Sequence, residues 1–254
     1  MANKQLTIHI SRTSVHVAEV LRSSQEVVKS KSMQFEEMNA LAYKAQLKRF
    51  FDEHMFDDNY EEYTLAWCTP KQALMPMLIF NDTKPADVLN LLFGDTVDTA
   101  NSDFNRLAEL NMVSVYEIPD WVKSFFVMKY PHIIYKHEHA MSLRALFQGA
   151  TYKLKTVLTL ADEYMNISII KKNELQFSNS FEYQNAEDIL YHLLFVLEQK
   201  KLKEEAGEIQ FYFQNNITME IASEVVKLLN NHALIKKHSI LESDNSAKLQ
   251  LLCV

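Results

Sequence analysis

Leu6 to Val20 reads LTIHISRTSVHVAEV, two runs in which apolar residues alternate with others on either side of Ser11-Arg12-Thr13-Ser14. Alternation at period 2 across a short polar break is the pattern of two antiparallel strands joined by a tight turn. A turn that cradles a phosphate at such a place uses glycine, because a residue without Cβ lets main-chain N–H groups reach the anion. This turn has none. The reading of the whole chain depends on what such a hairpin is for.

Outward from the hairpin, EVVKSKSMQF (26–35) continues the alternation as a third strand. A helix is expected from Glu37 to His54, with Glu36 and Glu37 at its start and Lys48 and Arg49 toward its end, as the macrodipole favours. Strands follow at EYTLAWC (62–68) and ALMPMLIF (73–80), then a helix opened by Pro85 and closed by Gly94. NMVSVYEI (111–118) and HIIYKH (132–137) read as strands, with helices from Pro119 and over AMSLRALFQ (140–148).

The order then starts again. YKLKTVLTL (152–160), MNISIIKK (165–172) and ELQFSNSFEY (174–183) are three strands, the last two turned by Lys172-Asn173. A helix runs from Ala186 to Lys203, with Asn185 as N-cap, Glu187 and Asp188 in its first turn and Lys200, Lys201 and Lys203 in its last. Ile189, Leu190, Leu193, Leu194 and Leu197 fall on one of its faces. After EIQFYFQ (208–214) come a helix from Thr218 to His232 and strands near IKKHSIL (235–241) and KLQLLCV (248–254). Both halves thus read strand-strand-strand-helix-strand-helix-strand, an internal repeat that places one domain at 1–149 and a second at 150–254, with the boundary near Gly149.

Composition narrows the function classes. The 254 residues are 48% hydrophobic and 23% charged, the balance of a folded domain with a sizeable core. The net charge is −7 with no basic stripe, which argues against nucleic acid and against an anionic membrane surface as partners. No run has the length of a membrane span, and MANKQLTIHI has no apolar signal-peptide core. With Cys68 and Cys253 far apart in apolar contexts, buried thiols in a reducing cytoplasm are favoured over a disulfide. Average usage would supply about 18 glycines in a chain of this length. The chain has three, Gly94, Gly149 and Gly207.

A duplicated ribonuclease-H-like domain in this element order resembles the superfamily of actin, sugar kinases and heat-shock-chaperone ATPases. More narrowly it is similar to the actin-like proteins of bacterial cell division and type IV pilus assembly, and over nearly its full length it resembles an uncharacterised bacterial family with an actin-like ATPase fold. The fold class implied is α/β, with two ribonuclease-H-like domains, each a mixed five-stranded sheet with flanking helices. The superfamily holds ATP between its halves by three glycine-bearing loops. On this chain the first loop's metal-directing Asp position is His9, its Gly position is Ser11, and Arg12 follows where a small residue is usual. In the second loop, Thr159 replaces the acid, Ala161 and Glu163 replace the glycines, and Asn166 takes the place of the closing Asp. The adenosine loop's glycine positions hold Phe213, Gln214 and Asn215. A glutamate aimed at a triphosphate repels it, and the first loop has no glycine within reach before Gly94.

Other constellations carry less. His137 and His139, beside His132 and Glu138, could share a strand face as two metal ligands, but no third ligand is evident and a strand end and helix start at the surface are favoured. Asp57, Asp58, Glu61, Glu62, Asp162 and Glu163 raise a two-metal nuclease, yet the first strand carries no acid, so solvated charge is favoured. There is no G-x-S-x-G elbow, and neither cysteine has a basic neighbour. Trp121, Phe125 and Phe126, like Phe211, Tyr212 and Phe213, read as core before interface. The expectation is a cytoplasmic protein with no catalytic residues, cofactor or metal. It would act through an unknown protein partner or self-association, at the inter-domain cleft or an exposed strand edge. The alternatives are a divergent ATP-binding protein, ATPase or kinase using His9 or Asn166 in the inter-domain cleft, and a metal-dependent hydrolase at His137 and His139.

Overall fold

A computed structural model describes residues 3–36, 39–54, 56, 59–94, 97–147, 152–231 and 237–253. The opening hairpin is β1 (Lys4–Ile10) and β2 (Ser14–Leu21), antiparallel with Ile8 opposite Val17 and His9 opposite His16. β3 (Glu26–Gln34) pairs with β2, and α1 (Ala40–His54) then crosses back so that β4 (Glu62–Trp67) lies parallel to β1. α1 buries Tyr43, Leu47, Phe50 and Phe51, one helical stripe, into a core with Leu6, Ile8, Ile10, Val15, Val17 and Trp67. After β4 the chain leaves this sheet for β5 (Gln72–Pro76), α2 (Pro85–Phe93), β6 (Ser102–Leu107) and β7 (Met112–Glu117). It returns through α3 (Asp120–Lys129) to β8 (Ile134–His137), parallel to β4. The sheet order is β3-β2-β1-β4-β8, and β5-β7-β6 form a separate three-stranded antiparallel sheet with its own small core under α2.

α4 (Glu138–Leu146) carries the chain onward, and the contact pattern divides it within this helix, between Ala140 and Met141. The second unit repeats the first. β9 (Leu154–Leu160), β10 (Tyr164–Lys171) and β11 (Glu174–Glu182) form the same meander, followed by α5 (Ala186–Gln199), β12 (Gly207–Phe213) parallel to β9, and α6 (Asn216–Asn231). Equivalent strands begin at Lys4 and Leu154 and at Ser14 and Tyr164, and both meanders shift register at the same step, between Glu19 and Val20 and between Ile169 and Ile170. β13 (His238–Ile240) and β14 (Asp244–Asn245) both pair with the far side of β12, so this sheet has six strands. Its core joins Leu158, Leu160, Ile167 and Ile169 to Ile189, Leu193 and Leu197 of α5. No helix among the described residues is long and apolar enough to cross a membrane.

Several local expectations are corrected. Among the described residues the second sheet is six-stranded rather than five, because two short C-terminal strands share one edge. The run at 73–80 stops as a strand at Pro76, which has no N–H for a ladder, and continues as a 3-10 turn over Met77–Ile79. As far as Cys253, the run KLQLLCV lies in 3-10 turns, Ser246–Cys253, begun where the Asn245 side chain accepts from the Ala247 amide at 2.8 Å; Val254 lies outside the described residues. α1 starts after Asn39, whose Oδ1 accepts from the Ala42 amide at 2.9 Å; Glu37 lies outside the described residues, and Glu36 precedes the helix. α6 starts two residues before Thr218, and its expected end at His232 lies outside the described residues, as do Gly149, Asp57 and Asp58.

Two of the three glycines have structural reasons. Gly94 takes φ +69° where α2 ends, its amide returning to the Asn90 carbonyl. Gly207 opens β12 against Leu154, where a Cβ would come within 2.9 Å of the leucine side chain and 3.0 Å of its carbonyl oxygen.

Candidate functional site

At the β1–β2 turn, the Ser11 amide donates to the Ser14 carbonyl at 2.9 Å, which closes the bend. The amides of Thr13 and Ser14 then both point at Ser11 Oγ, donating to it at 3.1 and 3.0 Å. Serine favours this arrangement because its short hydroxyl reaches the main chain two and three residues on. The amides of the turn therefore have an acceptor from within the chain.

Arg12 projects beyond the turn. Its guanidinium donates to Glu117 Oε1, at the end of β7, at 2.9 Å, and Lys71 Nζ stands 3.7 Å from the other oxygen of that carboxylate. Tyr43 Oη donates to the Arg12 carbonyl at 2.7 Å, and its ring stacks on Trp121 with centroids 4.6 Å apart and 7° between planes. Burial raises the Tyr43 hydroxyl pKa against the opposing pull of the Arg12 charge. Arg12, Tyr43, Glu117 and Trp121, with Ala40, Asn101 and Pro119, line a shallow cleft of about 240 Å³. It offers a paired cation, a carboxylate and an aromatic wall, and among the described residues its lining holds no serine, cysteine or histidine nucleophile. Sequence reading reached Arg12 and Trp121 but not Tyr43 or Glu117, which come to the turn from 31 and 105 residues away.

His9 is buried in β1 opposite His16, and burial, with the neighbouring His16, holds its pKa down to about 3. It is a neutral imidazole and supplies no negative charge toward a cation.

The β9–β10 turn repeats the bend, with the Ala161 amide donating to the Tyr164 carbonyl at 2.9 Å. Thr159 is buried and donates to Ser142 Oγ at 3.0 Å, and buried Asn166 accepts from Ser180 Oγ at 2.7 Å. Glu163 is exposed, its carbonyl taken by the Tyr183 amide at 3.3 Å. Tyr183 Oη donates to the Ala161 carbonyl and pins this turn to the strand beyond it. Asp162 Oδ1 accepts from Asn215 Nδ2 at 2.7 Å, so this turn is tied to the β12–α6 loop. In that loop Thr218 Oγ1 accepts from the amides of Gln214 and Asn215, each at 3.0 Å, while Asn215 Oδ1 accepts from the Thr218 amide at 3.0 Å. Phe213 ends β12 half-buried just before it. A side-chain hydroxyl again occupies the loop amides. The ten positions read from the sequence lie at these three loops and on the strands entering them, Asp162–Asn215 joining two of the loops.

His137 and His139 do stand at a strand end and a helix start, but buried rather than at the surface. His137 ends β8 while His139 lies on α4, so the two do not share a strand face. His137 Nδ1 accepts from the His139 amide at 3.2 Å, which leaves the proton on Nε2 to be donated to the Thr69 carbonyl at 3.0 Å. Both ring nitrogens are thus engaged by main chain. Burial holds His137 and His139 down to about 3, the neighbouring His139 adding to the effect on His137. His132 is exposed before β8. Among the described residues no three His, Cys, Asp or Glu side chains come together as metal ligands would. Glu61 and Glu62 pair with Arg22 at 3.4 and 3.2 Å. Cys68 is buried, and Phe126 and Phe211 are core residues, with Trp121 and Phe125 packed against the first core.

A family model described as a protein of unknown function, DUF3822, matches residues 1–233. No curated protein matches the chain. Among solved structures, a Bacteroides thetaiotaomicron protein with an actin-like ATPase fold and unknown function is similar with a TM-score of 0.72 and 17% identity, over 100% of this chain and 96% of that one. A PilM–PilN type IV pilus biogenesis complex is similar at 0.55 and 9% identity, over 96% and 88%. The ethanolamine utilization protein EutJ from Carboxydothermus hydrogenoformans is similar at 0.50 and 8%, over 98% and 87%. Identities this low report fold and nothing further. With a doubled three-stranded meander, parallel crossovers and full-length likeness to such structures, the chain has the two-domain actin-like ATPase fold and belongs to the DUF3822 family of proteins of unknown function.

Proposed function

We propose that this protein is a non-catalytic form of its fold, one that has lost nucleotide binding and acts by protein–protein contact. His9, Ser11, Arg12, Thr159, Ala161, Glu163, Asn166, Phe213, Gln214 and Asn215 are then the remnants of three nucleotide loops. The observation that carries this reading is the Ser11 hydroxyl, which already accepts the two amides that a phosphate oxygen would need. To admit a phosphate, the turn would have to break both bonds and expose them to a ligand flanked by no glycine. Thr218 Oγ1 repeats the arrangement at the β12–α6 loop, and the carboxylates of Asp162 and Glu163 at the second turn oppose a polyanion. A fold of this kind accommodates a protein partner, since the PilM-like neighbour is part of a complex with PilN. Calorimetric titration with Mg-ATP is expected to give no heat of binding, and a dissociation constant in the micromolar range would overturn the reading. A nucleotide panel in a thermal-shift assay gives an independent readout, because a ligand at a hundred times its Kd adds about 2.7 kcal/mol of stability.

A further inference from the structure

The two repeats end in edge strands that differ in one respect. β3 has Lys29 and Lys31 in its middle, and charges in mid-edge keep another chain from pairing there. β11, its counterpart, has no charge and no proline from Leu175 to Phe181. None of its nine residues is buried, and among the described residues its only strand partner is β10. The register shift lies at its start, so Phe177 to Glu182 runs regularly against β10. Residues 177–181 read Phe-Ser-Asn-Ser-Phe, the same in both directions.

We propose that β11 pairs with β11 of a second copy, antiparallel and centred on Asn179, to make a two-fold dimer whose two six-stranded sheets are continuous. A two-fold interface must complement itself, residue i meeting j while j meets i. The palindrome does so: Phe177 of each copy stands opposite Phe181 of the other, Ser178 opposite Ser180, and Asn179 lies on the axis. Gln176 then faces Glu182. Centring on Ser178 instead would set Glu174 against Glu182, a like-charge pair that costs stability and so helps select the register.

A second feature lies along the same edge. Phe177 and Phe181 stack at 6.1 Å, Phe181 stacks on His192 of α5 at 4.5 Å, and Tyr191 stacks on Phe195 at 6.0 Å. This row of rings leaves the sheet and ends on the solvent flank of α5, where Tyr191 is 62% and Phe195 46% exposed. Pairing of the two β11 strands brings the two rows side by side and covers them, which a strand ladder alone would not do. The dimer supplies one surface for the protein contact proposed above and requires nothing of the nucleotide loops, so nucleotide binding and dimerisation can fail separately.

Sedimentation equilibrium of the full chain is expected to give twice 29.6 kDa. Asn179 is exposed, so Asn179→Lys and Asn179→Asp should keep the fold, checked by circular dichroism and urea midpoint. Each sets like charges together on the axis and should weaken dimerisation roughly tenfold or more. An equimolar mixture of the two variants should recover the dimer by pairing Lys with Asp. A wild-type monomer at the highest soluble concentration would overturn the proposal, as would a dimer that Asn179→Lys leaves unchanged or a mixture that stays monomeric.

Discussion

Replacing Ser11 by alanine leaves the Thr13 and Ser14 amides without the oxygen they share. The turn is part-buried, so water replaces that oxygen only incompletely. Urea unfolding of Ser11→Ala should show a loss of about 1 kcal/mol, and an unchanged midpoint would mean that the hydroxyl is incidental. That the turn carries serine and no glycine was legible in the sequence. Which groups it satisfied was not, because a serine in a turn can point to its own main chain or to solvent. Arg12 teaches the same lesson. Its charge could be placed on the turn from the sequence, whereas Glu117 and Tyr43 reach it only through the return of α1 and β7.

Among the elements, the β9–β12 pairing depends on Gly207. Gly207→Ala drives a Cβ against the Leu154 side chain and carbonyl at 2.9–3.0 Å, and the parallel register leaves the strand no sideways step. Thermal or urea unfolding is expected to show a loss of about 1–3 kcal/mol, and a neutral result would mean that the close approach of Leu154 does not require glycine. Elements with strong local signals were legible. The meanders followed their alternation, Lys172 and Asn173 both take the positive φ of a two-residue hairpin turn, and Asn185 caps α5 by accepting from Asp188 at 2.9 Å. β6 is not legible locally, because SDFNRL has too little apolar alternation to announce a strand. It is held by pairing with β7 and by Asn105, whose side chain accepts from the His137 amide at 2.7 Å.

Across the whole molecule the two repeats carry unequal titratable loads. His9 and His16 stand in the first hairpin where Thr159 and Asn166 stand in the second, and His137 and His139 are buried in or next to the first sheet's last strand. His9, His137 and His139 are each held at about 3, below the 6.5 of an unfolded chain. A depressed folded-state value means that the unfolded chain binds the proton first. Their neutral state therefore gives its full stability above pH 6.5, which is lost as pH falls toward 3, each histidine adding up to one proton to the slope. Hydrogen exchange between pH 6.5 and 4 should show residues before Ala140 losing protection ahead of those after Met141. His9→Thr, which borrows the residue of the second repeat, should lessen that slope by about one proton. Equal loss in both units would refute this account.

The sequence by itself determined the repeat, the meanders and the absence of glycine from the three turns, because alternation, turn chemistry and the absence of a residue are properties of the chain read locally. Tertiary structure decided where the amides of those loops find their acceptors, why β6 is a strand, that His137 and His139 are buried, and that β11 is a sheet edge beside a row of rings ending exposed at Tyr191 and Phe195. Each of these depends on which distant segment arrives at a given place, and pairing and burial between residues tens of positions apart are set by packing of the whole unit, not by any window of the chain.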